Sequence, residues 1–178
     1  MSLRETYRTT VIPKLQSELG IRNMLALPRI RKVVVNVGVG KHFRDEKDID
    51  YIATTIEHIT GQKPIRTKAK KSISSFKVRE GMVVGIVATL RGQRMYHFIE
   101  KFVHVTLPRV RDFRGLEATS VDRKGSCTIG MKEHIAFPEM RSDAIEKLHG
   151  IEITFVTNAK TREHGLALFK ALGFPFKS

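Results

Sequence analysis

Apolar residues along this chain recur with two different periods, and each change of period marks an element. Tyr7, Val11, Leu15 and Leu19 return every fourth residue, the spacing of one helical stripe. Ser2 and Glu5 precede that stripe at the spacing of a capping box. Pro13 falls inside it and is expected to kink or split the helix, because proline lacks the N–H and its ring crowds the preceding turn. Gly20 is expected to end it. Ile30 to Val37 (IRKVVVNV) is rich in β-branched residues and predicts a strand, closed by Gly38 and Gly40. Acids between Asp45 and Asp50 suit the first turn of a second helix, where the helix dipole favours negative charge. Its buried stripe is Ile49, Ile52, Ala53, Ile56 and Ile59, with Gly61 as C-terminal cap.

Pro64 to Lys68 and Ile73 to Val78 are expected as two short strands of a hairpin. Met82 to Arg91 (MVVGIVATLR) is nearly continuous apolar sequence and predicts a central strand. A third helix turns Met95, Phe98, Ile99, Phe102 and Val103 inward, and Pro108 is expected to stop it. Arg109 to Gly125 reads as a basic, turn-rich connection. Cys127 to Met131 predicts a short strand, Ser142 to Leu148 a short helix, Ile151 to Thr157 a strand and Thr161 to Leu172 a last helix. No long linker or internal repeat interrupts the series. The expectation is one α+β domain over residues 1–178: a largely antiparallel sheet, helices packed mainly on one face, the other face open for binding.

Charge narrows what that face binds. The net charge is +14 over 178 residues, and 41% of the residues are hydrophobic, so a basic surface surrounds a real core. Between His58 and Arg79 stand Lys63, Arg66, Lys68, Lys70, Lys71, Lys77 and Arg79, without one Asp or Glu. Such a run is tolerated either as a solvated loop or because a polyanion neutralises it. Acid-free stretches from Gly20 to Arg44 and from Gly81 to Ile99 extend the pattern and favour nucleic acid. No apolar run reaches membrane-spanning length, and the N-terminus lacks the apolar core of a signal peptide.

Catalytic and cofactor chemistry finds no support. Gly38-Val39-Gly40-Lys41 fails as a phosphate-binding P-loop, because Val35 and Asn36 stand where its first glycine is required and His42 replaces its hydroxyl. It also fails as a dinucleotide fingerprint, since Phe43 occupies the third glycine position. The histidines at 42, 58, 97, 104, 134, 149 and 164 have no chelating spacing, and Cys127 is alone. Ser74 and Ser75 lack the context of an activated nucleophile. No metal, cofactor or small-molecule substrate is expected. A metal-dependent nuclease would need clustered carboxylates, whereas the 18 acids are dispersed. A DNA-reading module would need a basic groove-reading helix, whereas these helices are amphipathic with mixed-charge outer faces. Alternation places Thr89 and Arg91 on the strand face opposite the core residues Val84, Ile86, Ala88 and Leu90, and Asn36 in a similar position near the end of its own strand. These are polar groups suited to an RNA backbone.

Several segments together resemble a known family. PRIRKVVVNVGVG (28–40), ITGQKPIRTKAKKSISSFKVREG (59–81), TLRGQRM (89–95), LPRVRDFRGL (107–116), IGMKEHIAFPE (129–139) and the terminal FPFK resemble, in order, the bacterial ribosomal protein five family of the large subunit. The chain differs from the usual pattern at Ile21, at Lys41-His42-Phe43-Arg44 and at Val83. The resemblance implies a non-enzymatic, ribosome-associated cytoplasmic protein of the central protuberance, with 5S and 23S ribosomal RNA and neighbouring central-protuberance proteins as partners. It implies 5S RNA contacts at Asn36, Gly38, Gln62, Lys63, Thr89 and Arg91. It implies proximity to P-site transfer RNA at Lys68, Lys70, Lys71, Ser72, Lys77 and Arg79, and to a small-subunit head protein at Arg109, Arg111, Asp112 and Arg114. Without the resemblance, a general basic nucleic-acid-binding module remains the alternative.

Overall fold

The computed structural model describes residues 2–40, 45–140 and 148–177. The Lys41–Arg44 segment and all of the expected 142–148 helix except Leu148 lie outside the described residues. One antiparallel sheet joins β1 (Ile30–Gly38), β2 (Ile65–Lys68), β3 (Val83–Leu90), β4 (Cys127–Met131) and β5 (Ile151–Thr157) in the order β2-β3-β1-β5-β4. Alternation along each strand divides the side chains between two faces. Val33, Val35 and Val37 of β1, Ile86, Ala88 and Leu90 of β3, and Ile151, Ile153 and Phe155 of β5 all point to one side and are buried. The helices cover that side. They are α1 (Leu3–Thr6), α2 (Ile12–Leu19), α3 (Glu46–Thr60), α4 (Gly92–Lys101), the short α5 (Leu107–Arg109) and α6 (Arg162–Ala171). Phe98, Phe102, Phe137, Phe155, Phe169 and Phe174 form a chain of ring contacts through the core, with centroids 5.1–6.3 Å apart.

Both prolines act close to the expectation. The first helical stretch is divided into α1, a π-helical segment and α2 around Pro13, and the third ends at Arg109, one residue past Pro108. In each case a π-helical turn precedes the proline: Tyr7–Val11 before Pro13, and Phe102–Thr106 before Pro108. The N–H of Ile12 donates to the Tyr7 carbonyl, and that of Leu107 to the Phe102 carbonyl, five residues back rather than four. Proline offers no donor to the carbonyl four residues earlier, and the widened turn lets the helix pass on without that bond.

The hairpin differs from the expectation. β2 pairs with β3, and Ile73 to Val78 is not a strand. Ile73 and Val78 make one isolated bridge that closes a 3-10 turn, Ser74–Phe76. Gly92 permits the sharp reversal from β3 into α4 with φ +60, while Arg91 before it stays extended. Where α6 crosses the turn before β4, the Gly125 and Gly165 backbones touch. A Cβ added to Gly165 would stand 2.5 Å from the Gly125 Cα.

His134 and His149 are buried and stacked, with centroids 4.1 Å apart and planes at 10°, and Tyr51 meets both rings edge-on. Burial pushes His149 down to about 4, reinforced by the neighbouring His134, and burial also lowers His134. The folded state therefore holds these rings neutral while the unfolded chain binds protons below about 6.5. Stability is full above that pH and is lost as pH falls toward 4, by about 3 kcal/mol from His149 alone. Urea melts across that range are expected to show this acid limb, and His149→Phe, which stacks but cannot titrate, is expected to flatten it. An identical limb in the variant would assign the acid loss elsewhere.

Candidate nucleic-acid interface

Among the described residues no helix packs on the other side of the sheet, and strand register orders its residues into rows. One row runs Ile65, Val87, Asn36, Glu152, Gly130. The next runs Thr89, Val34, Thr154, Thr128. Thr67, Gly85 and Gly38 form the row at one end, and Lys32 beside Val156 lies toward the other. Nearly every side chain on this face is short. The result is a shallow surface of threonine, valine and glycine with Asn36 near its centre. It can approach a rigid helix backbone and its 2′-hydroxyls closely, as shape readout of RNA requires.

Asn36 and Thr67 lean over Gly85: a Cβ there would stand 2.9 Å from Thr67 Oγ1 and 3.6 Å from Asn36 Oδ1. Thr128 and Thr154 hydroxyls share a hydrogen bond of 3.2 Å. Gln62, just beyond α3, reaches the end of the sheet, and its Nε2 donates to the Thr89 carbonyl at 3.1 Å. Sequence placed Gln62 near the RNA face only through resemblance. The structure brings it against Thr89 but gives its amide a structural partner. Lys63 and Arg91 are exposed beside this end, so cations sit at the rim of the face rather than on it.

The seven cations of the basic run do not act alike. Arg66 alternates to the helix side and pairs with Asp50 of α3, so a carboxylate distant in sequence neutralises it. Lys68, the last residue of β2, and Lys70, Lys71, Lys77 and Arg79 on the connection between β2 and β3 are exposed. That connection is held by its own bonds. The Ala69 N–H donates to the Met82 carbonyl at 2.8 Å, and the Ala69 carbonyl accepts from Gly81 at 3.0 Å. Ser72 Oγ accepts from the Glu80 N–H at 2.9 Å, so the Ser72 hydroxyl is partly engaged within the loop.

Arg109, Arg111, Asp112 and Arg114 are exposed on a separate loop, with Asp112 at φ +54. Leu116 pins its end to the C-terminal segment through bonds with Pro175 and Lys177 of 2.7 and 2.9 Å. Half-buried Val110, Phe113 and Ile135, with buried Ile129 of β4, line a groove beneath the loop. Thr128 and Gly130 of the open sheet face also line this groove, so the loop adjoins the face at its β4 edge. Among the described residues, no group of three or more His, Cys, Asp or Glu is placed to hold a metal ion. Among them, no helix is long and apolar enough to cross a membrane.

The model of the C-terminal region of the ribosomal L5 family matches residues 83–176, more than half of the chain, and that of ribosomal protein L5 matches residues 23–79. The chain belongs to the ribosomal protein L5 family. The large ribosomal subunit protein uL5 of Halothermothrix orenii is 50% identical over 174 residues, covering 98% of this chain and 97% of the relative. The protein of the same name from Prochlorococcus marinus is 47% identical over 178 residues, covering 100% and 99%. That from Desulfatibacillum aliphaticivorans is 49% identical over 176 residues, covering 99% and 98%. Membership makes this chain a structural protein rather than an enzyme. The two matched regions interleave in space, since β3 of the 83–176 region lies between β2 and β1 of the 23–79 region.

Proposed function

We propose that this chain takes the place in the large ribosomal subunit that its relatives' names give them, and that its open sheet face binds 5S ribosomal RNA in the central protuberance. The single observation behind this is a face of short side chains around Asn36 and Thr89, uncovered by any helix among the described residues and rimmed by Lys63, Arg91 and Lys32, in an L5-family chain. Phosphate neutralisation supplies most of the affinity, and the polar groups fix register. The β2–β3 connection is assigned to P-site transfer RNA and the Arg109–Arg114 loop to a protein of the small-subunit head. The remaining surface is left to 23S RNA and neighbouring ribosomal proteins.

The test is titration of the full chain with a 5S RNA transcript, against duplex DNA as competitor. Asn36→Ala and Thr89→Ala are each expected to weaken binding, because a lost interfacial hydrogen bond costs about 1–3 kcal/mol. Thermal melts are expected to be unchanged. Equal affinity for the DNA would favour a general basic module, and normal RNA binding by both variants would remove the sheet face from the site.

A further inference from the structure

The β2–β3 connection carries more than charge. Phe76 is 64% exposed at its tip and Ile73 is 46% exposed beside it, in a chain whose other described phenylalanines are buried or half-buried. This exposure is built. Reciprocal backbone bonds between Ile73 and Val78, 2.8 and 3.1 Å long, close the turn. The Lys77 N–H donates to the Ser74 carbonyl at 3.0 Å, and Lys77 adopts φ +52, which an L side chain rarely takes. The phenyl ring thus projects from a cross-braced turn.

We propose that Phe76, flanked by Ile73, is a stacking plate for an unpaired or helix-terminal RNA base. The inference rests on the reading that this connection faces RNA. The occupant follows from charge: Lys70, Lys71, Lys77 and Arg79 are exposed on the same connection as the ring, and Glu80 is the one acid between His58 and the start of β3. A nucleotide carries a flat apolar face and a phosphate on one unit, matching an aromatic ring beside Lys77. An apolar protein groove would satisfy the ring and leave the cations unanswered. Stacking also needs no particular base, because every base has a π-face. The lysines then set long-range attraction and the ring sets short-range position.

Two measurements test it. The first irradiates ribosomes carrying the full chain with ultraviolet light and maps nucleotide adducts by mass spectrometry. An adduct on Phe76 is expected. Adducts confined to the neighbouring lysines would overturn stacking and leave the loop on RNA. No adduct anywhere from Lys68 to Arg79 would overturn the loop assignment and the stacking with it. The second titrates the full chain with transfer RNA at several salt concentrations. Phe76→Ala is expected to weaken binding about tenfold without changing the salt slope, Phe76→Tyr to bind as wild type, and the joint Lys70, Lys71 and Lys77 to Ala change to flatten the slope. Full affinity in Phe76→Leu would overturn stacking in favour of plain apolar contact. A Phe76→Ala loss seen only with anionic phospholipid vesicles would also overturn the proposal.

Discussion

Gly165→Ala is expected to lower the thermal midpoint by about 6–12 °C. The added methyl would lie 2.5 Å from both the Cα and the carbonyl oxygen of Gly125. Real Cβ atoms do not approach so closely, and the obstacle is backbone. Gly125 cannot yield easily, because its N–H donates to the Asp122 carbonyl at 3.0 Å and its own carbonyl accepts from Thr157 Oγ1 at 2.8 Å. α6 must therefore lift from the sheet, exposing part of the surface under Ala167, Leu168 and Phe169. Overpacking of this kind costs about 3 kcal/mol. At about 2–4 °C per kcal/mol for a chain of this size, that gives the stated shift. A melt within about 2 °C of wild type would show that the crossing relaxes freely. Gly173→Ala is a useful contrast, since open space surrounds that position but φ is +85, so any loss there reflects backbone strain alone.

The affinity for 5S RNA is expected to fall about 250-fold between 0.1 and 0.4 M monovalent salt. If about five phosphates are neutralised, log K falls by roughly four per decade of salt. The charge-removing changes Lys63→Gln and Arg91→Gln should each reduce that slope by about one. Arg66→Gln should not, because Arg66 is held by Asp50 on the helix side of the sheet. A slope unaffected by Lys63 and Arg91, or reduced by Arg66, would place the phosphate contacts elsewhere on the protein.

The face bearing Asn36 and Thr89 was legible because strict alternation in β1 and β3 leaves one parity apolar, and burial selects that parity. The stripe of α3 was legible for the same reason at a different period. Strand partnership was less so. Ile73 to Val78 has strand-like composition, yet β2 pairs with β3, because the long apolar strand offers a full ladder and the short segment only one bridge. Local pattern does not decide between a near partner and a better one. The π-turns escaped because a proline reports the missing donor but not the wider turn that absorbs it. The His134–His149 stack and the Gly125–Gly165 crossing join residues distant in sequence, with no spacing to betray them. In the basic run, charge density was plain, but the loss of Arg66 to Asp50 depends on which side of the sheet each residue takes.

The strand order has a consequence for the nascent chain. β1 lies between β3 and β5, yet β5 follows it far along the sequence, at Ile151–Thr157. One flank of β1 therefore stays unpaired until β5 has been made. Until then Val33 to Asn36 present bare amides and carbonyls, a docking edge for any passing strand. Such distant closures fold slowly and leave intermediates prone to association. Because the open sheet face spans β3, β1 and β5 together, it is assembled in one late step and is incomplete in the half-made chain.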